Sequence, residues 1–169
     1  IFTRILMNNW GGIDHQVLCL NEYVNLFSGK SGSGKSSVMD AMQVVLYGSV
    51  GNDFLNRAAD DSANKRSVLS YLRGEQKDGT ANRENQDFYA QIVLEIKDTG
   101  RESYACIGVV FEVGRNDLDL KKFRFFSHAG KLPEDEYVNM SKIPYSVAEV
   151  QKLIQKREQS GESKFRGNI

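Results

Sequence analysis

An α/β fold built around a phosphate-binding loop is predicted by three features of this sequence. Residues 29–36 read Gly-Lys-Ser-Gly-Ser-Gly-Lys-Ser, which matches the P-loop pattern G-x-x-x-x-G-K-[ST]. The run Tyr23–Phe27 just before the loop has the composition of a short strand, and apolar residues recur with helical spacing after it. Strand, loop and helix in this order are the context in which the motif binds phosphate.

Each residue type in the loop has a chemical reason to be there. Glycines at 29, 32 and 34 let the backbone curl around phosphate oxygens without side-chain bulk. Lys35 can place its ammonium between the β- and γ-phosphates, and the Ser36 hydroxyl is the expected Mg²⁺ ligand. The sequence therefore predicts a site for a nucleoside triphosphate with Mg²⁺. The predicted binding residues are Gly29, Lys30, Ser31, Gly32, Ser33, Gly34, Lys35, Ser36 and Ser37.

The segment after the loop predicts an amphipathic helix whose N-terminus would add partial positive charge to the phosphate site. Its apolar residues recur at i, i+3, i+4, i+7 and i+8, and Gly48 follows as the C-terminal cap. The predicted buried face consists of Val38, Ala41, Met42, Val45 and Leu46.

Two further strands are predicted before the loop, at Ile1–Met7 and Gln16–Leu20, separated by a turn cluster at 8–12. Together with Tyr23–Phe27 they give three strands, then the loop and its helix, within residues 1–48. Residues 49–87 read as a polar insertion. Within it, Asn64–Arg73 predicts a short helix with Val68, Leu69 and Leu72 turned inward, followed by an exposed loop over 74–87.

The second half of the chain predicts an antiparallel meander over 88–128, followed by a helix. Apolar residues alternate along Phe88–Lys97 and Ser103–Val113, and Leu120–Ser127 supplies a third strand. A helix over 146–158 follows Pro144, with Ser146 and Glu149 as a capping box. We expect the chain to form a single domain over residues 1–169.

Composition limits the classes of function open to the chain. It has 22 basic and 22 acidic residues, so any nucleic-acid contact must come from a local patch or a larger assembly. Apolar runs are too short for a membrane span. Cys19 and Cys106 are far apart, which favours two reduced and mostly buried thiols in a cytosolic protein over a metal site. Because the first residue is Ile, we expect the chain to be a piece of something longer.

Phosphoryl transfer needs a Mg²⁺ carboxylate in addition to the loop, and the sequence offers no convincing candidate. Ile92–Glu95 and Val109–Glu112 come closest to an apolar strand with a terminal acid, but both fit better as meander strands whose Glu faces solvent. Neither the guanine-reading Asn-Lys-x-Asp nor a Ser-Gly-Gly signature occurs. The chain thus reads as half of an active site. Two alternatives stay open: a self-contained kinase or GTPase, and a non-catalytic interaction module with a vestigial P-loop.

Residues 29–48 resemble the N-terminal ATPase segment of the SMC/Rad50/SbcC group, in which Asp-Ala follows the P-loop, here Asp40-Ala41. The opening Asn9-Trp10-Gly11-Gly12 is most similar to the MukB/MksB branch, which includes the JetC subunit of Wadjet plasmid-defence systems. The resemblance covers roughly residues 1–57. Relatives often carry Asn where this chain has Lys30-Ser31.

The resemblance implies an α/β P-loop NTPase fold of the ABC type, the N-terminal lobe of a head with mixed or antiparallel strands and a P-loop helix. It implies ATP and Mg²⁺ held between two heads. A C-terminal lobe outside this chain would supply the signature motif, the Walker B Asp and the catalytic Glu. Implied partners are that lobe, a second head in a homodimer, a kleisin-type subunit, and DNA through the full complex; a membrane is not among them.

The resemblance also implies roles for particular residues and a cellular place. Lys35 would act in catalysis together with Arg57, which lies at the distance at which related heads place an arginine near the phosphates; a solvated loop arginine is the alternative. The implied function is DNA organisation or plasmid defence, in the cytoplasm and on the nucleoid. Basic residues of the 49–87 segment could contact DNA phosphates, although interleaved acids favour a plain solvated loop. They are Arg66, Arg73, Lys77 and Arg83.

Overall fold

The computed structural model describes residues 1–30, 32–51, 55, 67–76 and 78–159. These residues form an α/β fold around one five-stranded sheet in which every neighbouring pair is antiparallel, in the order β2-β1-β3-β4-β5. The strands are β1 (Phe2–Trp10), β2 (Ile13–Cys19), β3 (Phe88–Asp98), β4 (Ser103–Val113) and β5 (Lys122–Ala129).

Helices cover both faces of this sheet. The helices are α1 (Lys35–Tyr47), α2 (Val68–Arg73) and α3 (Val147–Gln159). Alternate residues of β3 divide between the two faces, as the pleat requires. Ile92 and Leu94 pack in one core with α1 and α2, whereas Val93 packs in a second core with Val150 of α3. We call these the α1 face and the α3 face of the sheet. No helix within the described ranges is long and apolar enough to cross a membrane.

The predicted meander is confirmed, with strand bounds that match closely or shift by one or two residues. β1 runs three residues beyond its predicted end because its polar residues find partners inside the sheet. Asn8 is fully buried, and its side-chain amide donates to the side chain of Gln91 at 2.8 Å. A buried polar group that is hydrogen-bonded in this way does not end a strand.

The prediction of a strand at Tyr23–Phe27 is wrong for this chain. The segment lies outside the sheet, and its side chains are largely exposed, with Tyr23 at 88%, Val24 at 74% and Leu26 at 88%. A strand forms only where a neighbour satisfies its backbone groups. The described sheet has its edges at β2 and β5, and neither pairs with this segment.

The predicted helices form, with one change in the buried face of α1. Val44 is fully buried in place of Leu46, which is 50% exposed. Gly48 caps α1 with φ +59°, as expected. Ser146 and Glu149 form the predicted capping box, in which the Glu149 carboxylate accepts from the Ser146 N–H at 2.8 Å. Of the predicted helix Asn64–Arg73, the structure describes α2 alone, whose three inward residues are buried as predicted.

Glu95 is buried, contrary to the expectation that it faces solvent. It lies on the α3 face, where Arg4 donates two hydrogen bonds to its carboxylate and Thr3 donates a third at 2.6 Å. The Leu132 N–H donates a fourth at 2.7 Å. Burial alone would raise the pKa of Glu95, but these donors outweigh it and hold the pKa at about 2. Of the two cysteines, Cys106 is buried as expected, whereas Cys19 is exposed.

The P-loop belongs to a long excursion from the sheet. β2 ends at Cys19 and β3 begins at Phe88, and these two strands flank β1 on its two sides. Residues 20–87 therefore leave the sheet beside β1 and return to it on the other side of β1. This excursion carries α1 and α2, which both cover the α1 face.

We expect Glu95 to make stability depend on acid. Because its folded pKa of about 2 lies below the ordinary value of 4.5, its contribution is complete above pH 4.5 and is lost as pH falls toward 2. The shift corresponds to about 3 kcal/mol. Chemical unfolding of the wild type and Glu95→Gln at pH 6, 4 and 3 should show that the free energies of unfolding of the two proteins converge as pH falls. Equal acid sensitivity of both proteins would contradict this assignment.

Candidate functional site

The predicted binding loop turns directly into α1. Gly34 precedes the helix in the left-handed region, with φ +87° and ψ 5°, a conformation that favours glycine. No side chain caps this helix end, and its first turn holds no acidic residue. A phosphate group fits such an end, because the first N–H groups of a helix point outward and carry partial positive charge.

Lys35 holds the loop in a closed curve. Its ammonium donates to the carbonyl oxygens of Gly29 at 2.6 Å and Lys30 at 2.8 Å, and to the Ser33 hydroxyl at 3.2 Å. A Cβ at Gly29 would lie 2.6 Å from the Ser33 hydroxyl oxygen, so a larger residue there would have to displace that hydroxyl. Three of the residues predicted to bind phosphate, Gly29, Lys30 and Ser33, are thus brought together around the Lys35 ammonium. Ser31 lies outside the described residues.

Two aromatic residues outside the predicted site, Trp10 and Tyr71, donate hydrogen bonds to the first turns of α1. The indole N–H of Trp10 donates to the Ser37 carbonyl oxygen at 2.8 Å. The Tyr71 hydroxyl donates to the carboxylate of Asp40. Trp10 lies in the predicted turn cluster at 8–12, and the apolar pattern of the predicted helix Asn64–Arg73 does not single out Tyr71.

Two of the four basic residues considered for DNA contact have structural partners. Arg83 is 6% exposed, and its guanidinium donates to five oxygen atoms around the β1–β2 turn and the end of α2. Arg73 donates to the backbone carbonyl oxygen of Asp117 at 2.6 Å. The expectation that Arg83 lies in an exposed loop is therefore wrong. Arg66 and Lys77 lie outside the described residues, as does Arg57.

The two glutamates considered as Walker B candidates lie on the wrong side of the sheet. Glu95 and Glu112 both occupy positions of the α3 face, whereas the P-loop helix covers the α1 face. Glu112 accepts a hydrogen bond from the Val147 N–H at 3.1 Å. Neither carboxylate can reach a Mg²⁺ ion bound at Ser36. Ile92–Glu95 lies within β3 and Val109–Glu112 within β4, which confirms the interpretation of both segments as sheet strands. No cluster of three metal-ligating side chains occurs among the residues with described positions.

Comparison with known proteins supports a P-loop NTPase segment. The family described as "P-loop containing region of AAA domain" matches residues 2–62. This range is less than half of the chain, and it covers β1, β2, the loop and α1. A search of curated proteins found no match. The chain thus contains a P-loop region of the kind that binds nucleotides, on an α/β fold with a five-stranded antiparallel sheet.

We expect Gly34→Ala to weaken nucleotide binding through backbone strain. A Cβ at Gly34 would meet nothing within 4 Å, so the cost comes from φ +87° alone and amounts to about 1–2 kcal/mol. Gly79→Ala is a matched control, since Gly79 has φ +83°, equally open surroundings and a position outside the loop. Unfolding and nucleotide titration should show both variants destabilised and only Gly34→Ala impaired in binding. Unchanged binding by Gly34→Ala would count against the loop geometry described here.

Proposed function

We propose that this chain is the ATP-binding N-terminal lobe of an SMC-like head, of the type found in DNA-organising or plasmid-defence ATPases. ATP would lie on the P-loop of one head and be sandwiched against a second head. Hydrolysis would depend on a C-terminal lobe that this chain does not contain. The observation that carries the proposal is a complete P-loop next to a strand-like segment that pairs with none of the described strands.

The loop itself supports binding of a nucleotide with Mg²⁺. Residues 29–37 would surround the phosphates, with the uncapped end of α1 supplying N–H donors and Lys35 supplying charge. The Ser36 hydroxyl would be a ligand of Mg²⁺. The metal would neutralise charge on the β- and γ-phosphates during transfer. On this proposal Lys35 exchanges its present carbonyl partners for phosphate oxygens, and Arg57 approaches the phosphates from the 49–67 segment.

The exposed segment before the loop supports completion by a second lobe. In a P-loop fold the strand that enters the loop pairs with neighbours in a sheet. Here Tyr23, Val24 and Leu26 are 74–88% exposed, which is a large apolar exposure for three residues so close in sequence. On α1, Met39 and Tyr47 are also about half or more exposed. A lobe that supplied strands for this segment would cover the apolar side chains and complete the fold.

The position of the carboxylates supports a divided catalytic site. Hydrolysis requires an acid near Mg²⁺, and both candidate glutamates lie on the α3 face. The missing acid would come from the C-terminal lobe. The proposed partners are that lobe, a second copy of the head, a kleisin-type subunit and DNA bound by the full complex. The proposed location is the cytoplasm, on the nucleoid.

The test of the proposal is ATP binding and turnover by this chain beside Lys35→Ala. We expect micromolar or weaker binding that depends on Lys35 and no measurable turnover, because the P-loop is complete and both candidate glutamates lie on the α3 face. Isothermal calorimetry and a phosphate-release assay measure the two quantities. Lys122→Ala, at an exposed position of β5, is the control. Turnover at ordinary enzyme rates, about 1 per second or more, would contradict the divided site.

We expect the exposed segment to matter for assembly and not for the stability of this chain. Leu26→Asp should change the free energy of unfolding by less than about 0.5 kcal/mol, because the side chain is 88% exposed. In the proposed full head the same change should abolish ATP turnover by placing a charge in the completed sheet. Leu118→Asp, at an 89% exposed position after β4, is the matched control. Full turnover by the Leu26→Asp protein would exclude the proposed strand addition.

A further inference from the structure

We propose that Trp10 and Tyr71 are positioning residues that set the orientation of α1 toward Mg²⁺ and the nucleotide phosphates. The inference rests on the proposed nucleotide-binding function and deepens it. Neither residue belongs to the P-loop motif. They reach α1 from two different elements, the end of β1 and the middle of α2.

The contact from Trp10 acts on the first turn of α1. Trp10 is fully buried, and its indole N–H donates to the Ser37 carbonyl oxygen at 2.8 Å. A carbonyl oxygen has two lone pairs, so this oxygen can accept from Trp10 while it also accepts its helical bond. Ser37 directly follows Ser36, the expected Mg²⁺ ligand. The indole therefore fixes the backbone one residue away from the metal-binding hydroxyl.

The contact from Tyr71 acts three residues further along the same side of α1. Its hydroxyl donates to the carboxylate of Asp40, which is 4% exposed. Residues three apart lie on one face of a helix, so Ser37 and Asp40 are held from the same side. The ring of Tyr71 stacks on that of Trp10 with centroids 5.0 Å apart and an angle of 5° between planes. The indole N–H and the phenol hydroxyl belong to two rings that are packed on each other. Together they fix the rotation of α1 about its axis and its distance from the sheet.

The turn after Trp10 locks the two rings to the rest of the fold. The Gly11 N–H donates to the Tyr71 carbonyl oxygen at 2.9 Å, and the Gly11 carbonyl oxygen accepts from Arg83 at 2.9 Å. A Cβ at Gly11 would lie 3.4 Å from the Ser37 hydroxyl oxygen. The turn therefore packs between α1 and α2. A movement of α2 would be transmitted to α1 through these contacts.

A positioning role and a purely structural role predict different losses. Backbone N–H groups of the loop bind phosphate with or without metal, whereas the Ser36 hydroxyl contributes only when Mg²⁺ is bound. Metal ligation tolerates little displacement, since Mg²⁺ demands near-ideal octahedral geometry. A small rotation of α1 should therefore weaken binding of Mg·ATP more than binding of ATP alone. A general loss of stability would weaken the binding of Mg·ATP and the binding of ATP alone by the same factor.

The experiment compares wild type, Tyr71→Phe and Trp10→Phe in this chain. Calorimetry gives the Kd for ATP with Mg²⁺ and with EDTA, and chemical unfolding gives stability. We expect each variant to bind Mg·ATP about threefold to tenfold more weakly, the size of one lost hydrogen bond, with less than about a twofold change in EDTA. Tyr145→Phe is the matched control, since it removes a phenol–carboxylate hydrogen bond of 2.8 Å to Asp135 outside the site.

Fluorescence adds a direct readout, because Trp10 is the chain's only tryptophan. Mg·ATP should change its emission in the wild type and not in Lys35→Ala. If the wild type binds in a Lys35-dependent way, but Tyr71→Phe loses nothing or loses the same factor with and without Mg²⁺, the inference is overturned and the proposed function stands. If the wild type does not bind ATP, both are overturned. Tyr71→Phe keeps the stacked ring, so it decides the question even where Trp10→Phe fails to fold.

Discussion

Arg83 is the residue on which the arrangement around the P-loop depends. All five of its guanidinium N–H groups donate to oxygens, at 2.7–3.1 Å, and the side chain is almost fully buried. Burial lowers the pKa of the Arg83 guanidinium, and the neighbouring Asp14 carboxylate offsets part of this decrease. The acceptors come from the β1–β2 turn and from Leu72 in α2. Together with the hydrogen bond from the Gly11 N–H to the Tyr71 carbonyl oxygen, this guanidinium joins the β1–β2 turn to α2. Lysine could not replace it, because a single ammonium has three donors and no planar fork.

The sheet separates two kinds of polar chemistry. On the α3 face, charges are neutralised inside the fold, as in the pair of Glu95 with Arg4. On the α1 face, the described partners of the Lys35 ammonium are carbonyl and hydroxyl oxygens. An ammonium with neutral partners can exchange them for phosphate without leaving a carboxylate unpaired. This asymmetry is why the α1 face is the one suited to an anionic ligand.

Much of the fold follows from local patterns, and the misses have physical reasons. Alternation identified β3 and β4, and the capping box identified α3, because these signals depend on neighbours in sequence. The burial of Asn8, Glu95 and Arg83 was not predictable, since each depends on partners more than 60 residues away. The segment Tyr23–Phe27 has the composition of a strand, but composition does not supply a neighbour to pair with. The loop residues 29–36 were recognisable from their motif, whereas the contacts of Trp10 and Tyr71 with α1 depend on how three separate elements pack.

The excursion over residues 20–87 has a consequence for how such proteins can diverge. The strands β2 and β3 hold the two ends of this excursion on either side of β1. The sheet therefore already sets the distance between the ends that the excursion has to bridge. Doubling the length of a flexible loop costs only about 0.6 kcal/mol. A change in the total length of the excursion should therefore burden the sheet very little. The sheet can keep its register while the segment that carries the P-loop is lengthened or shortened.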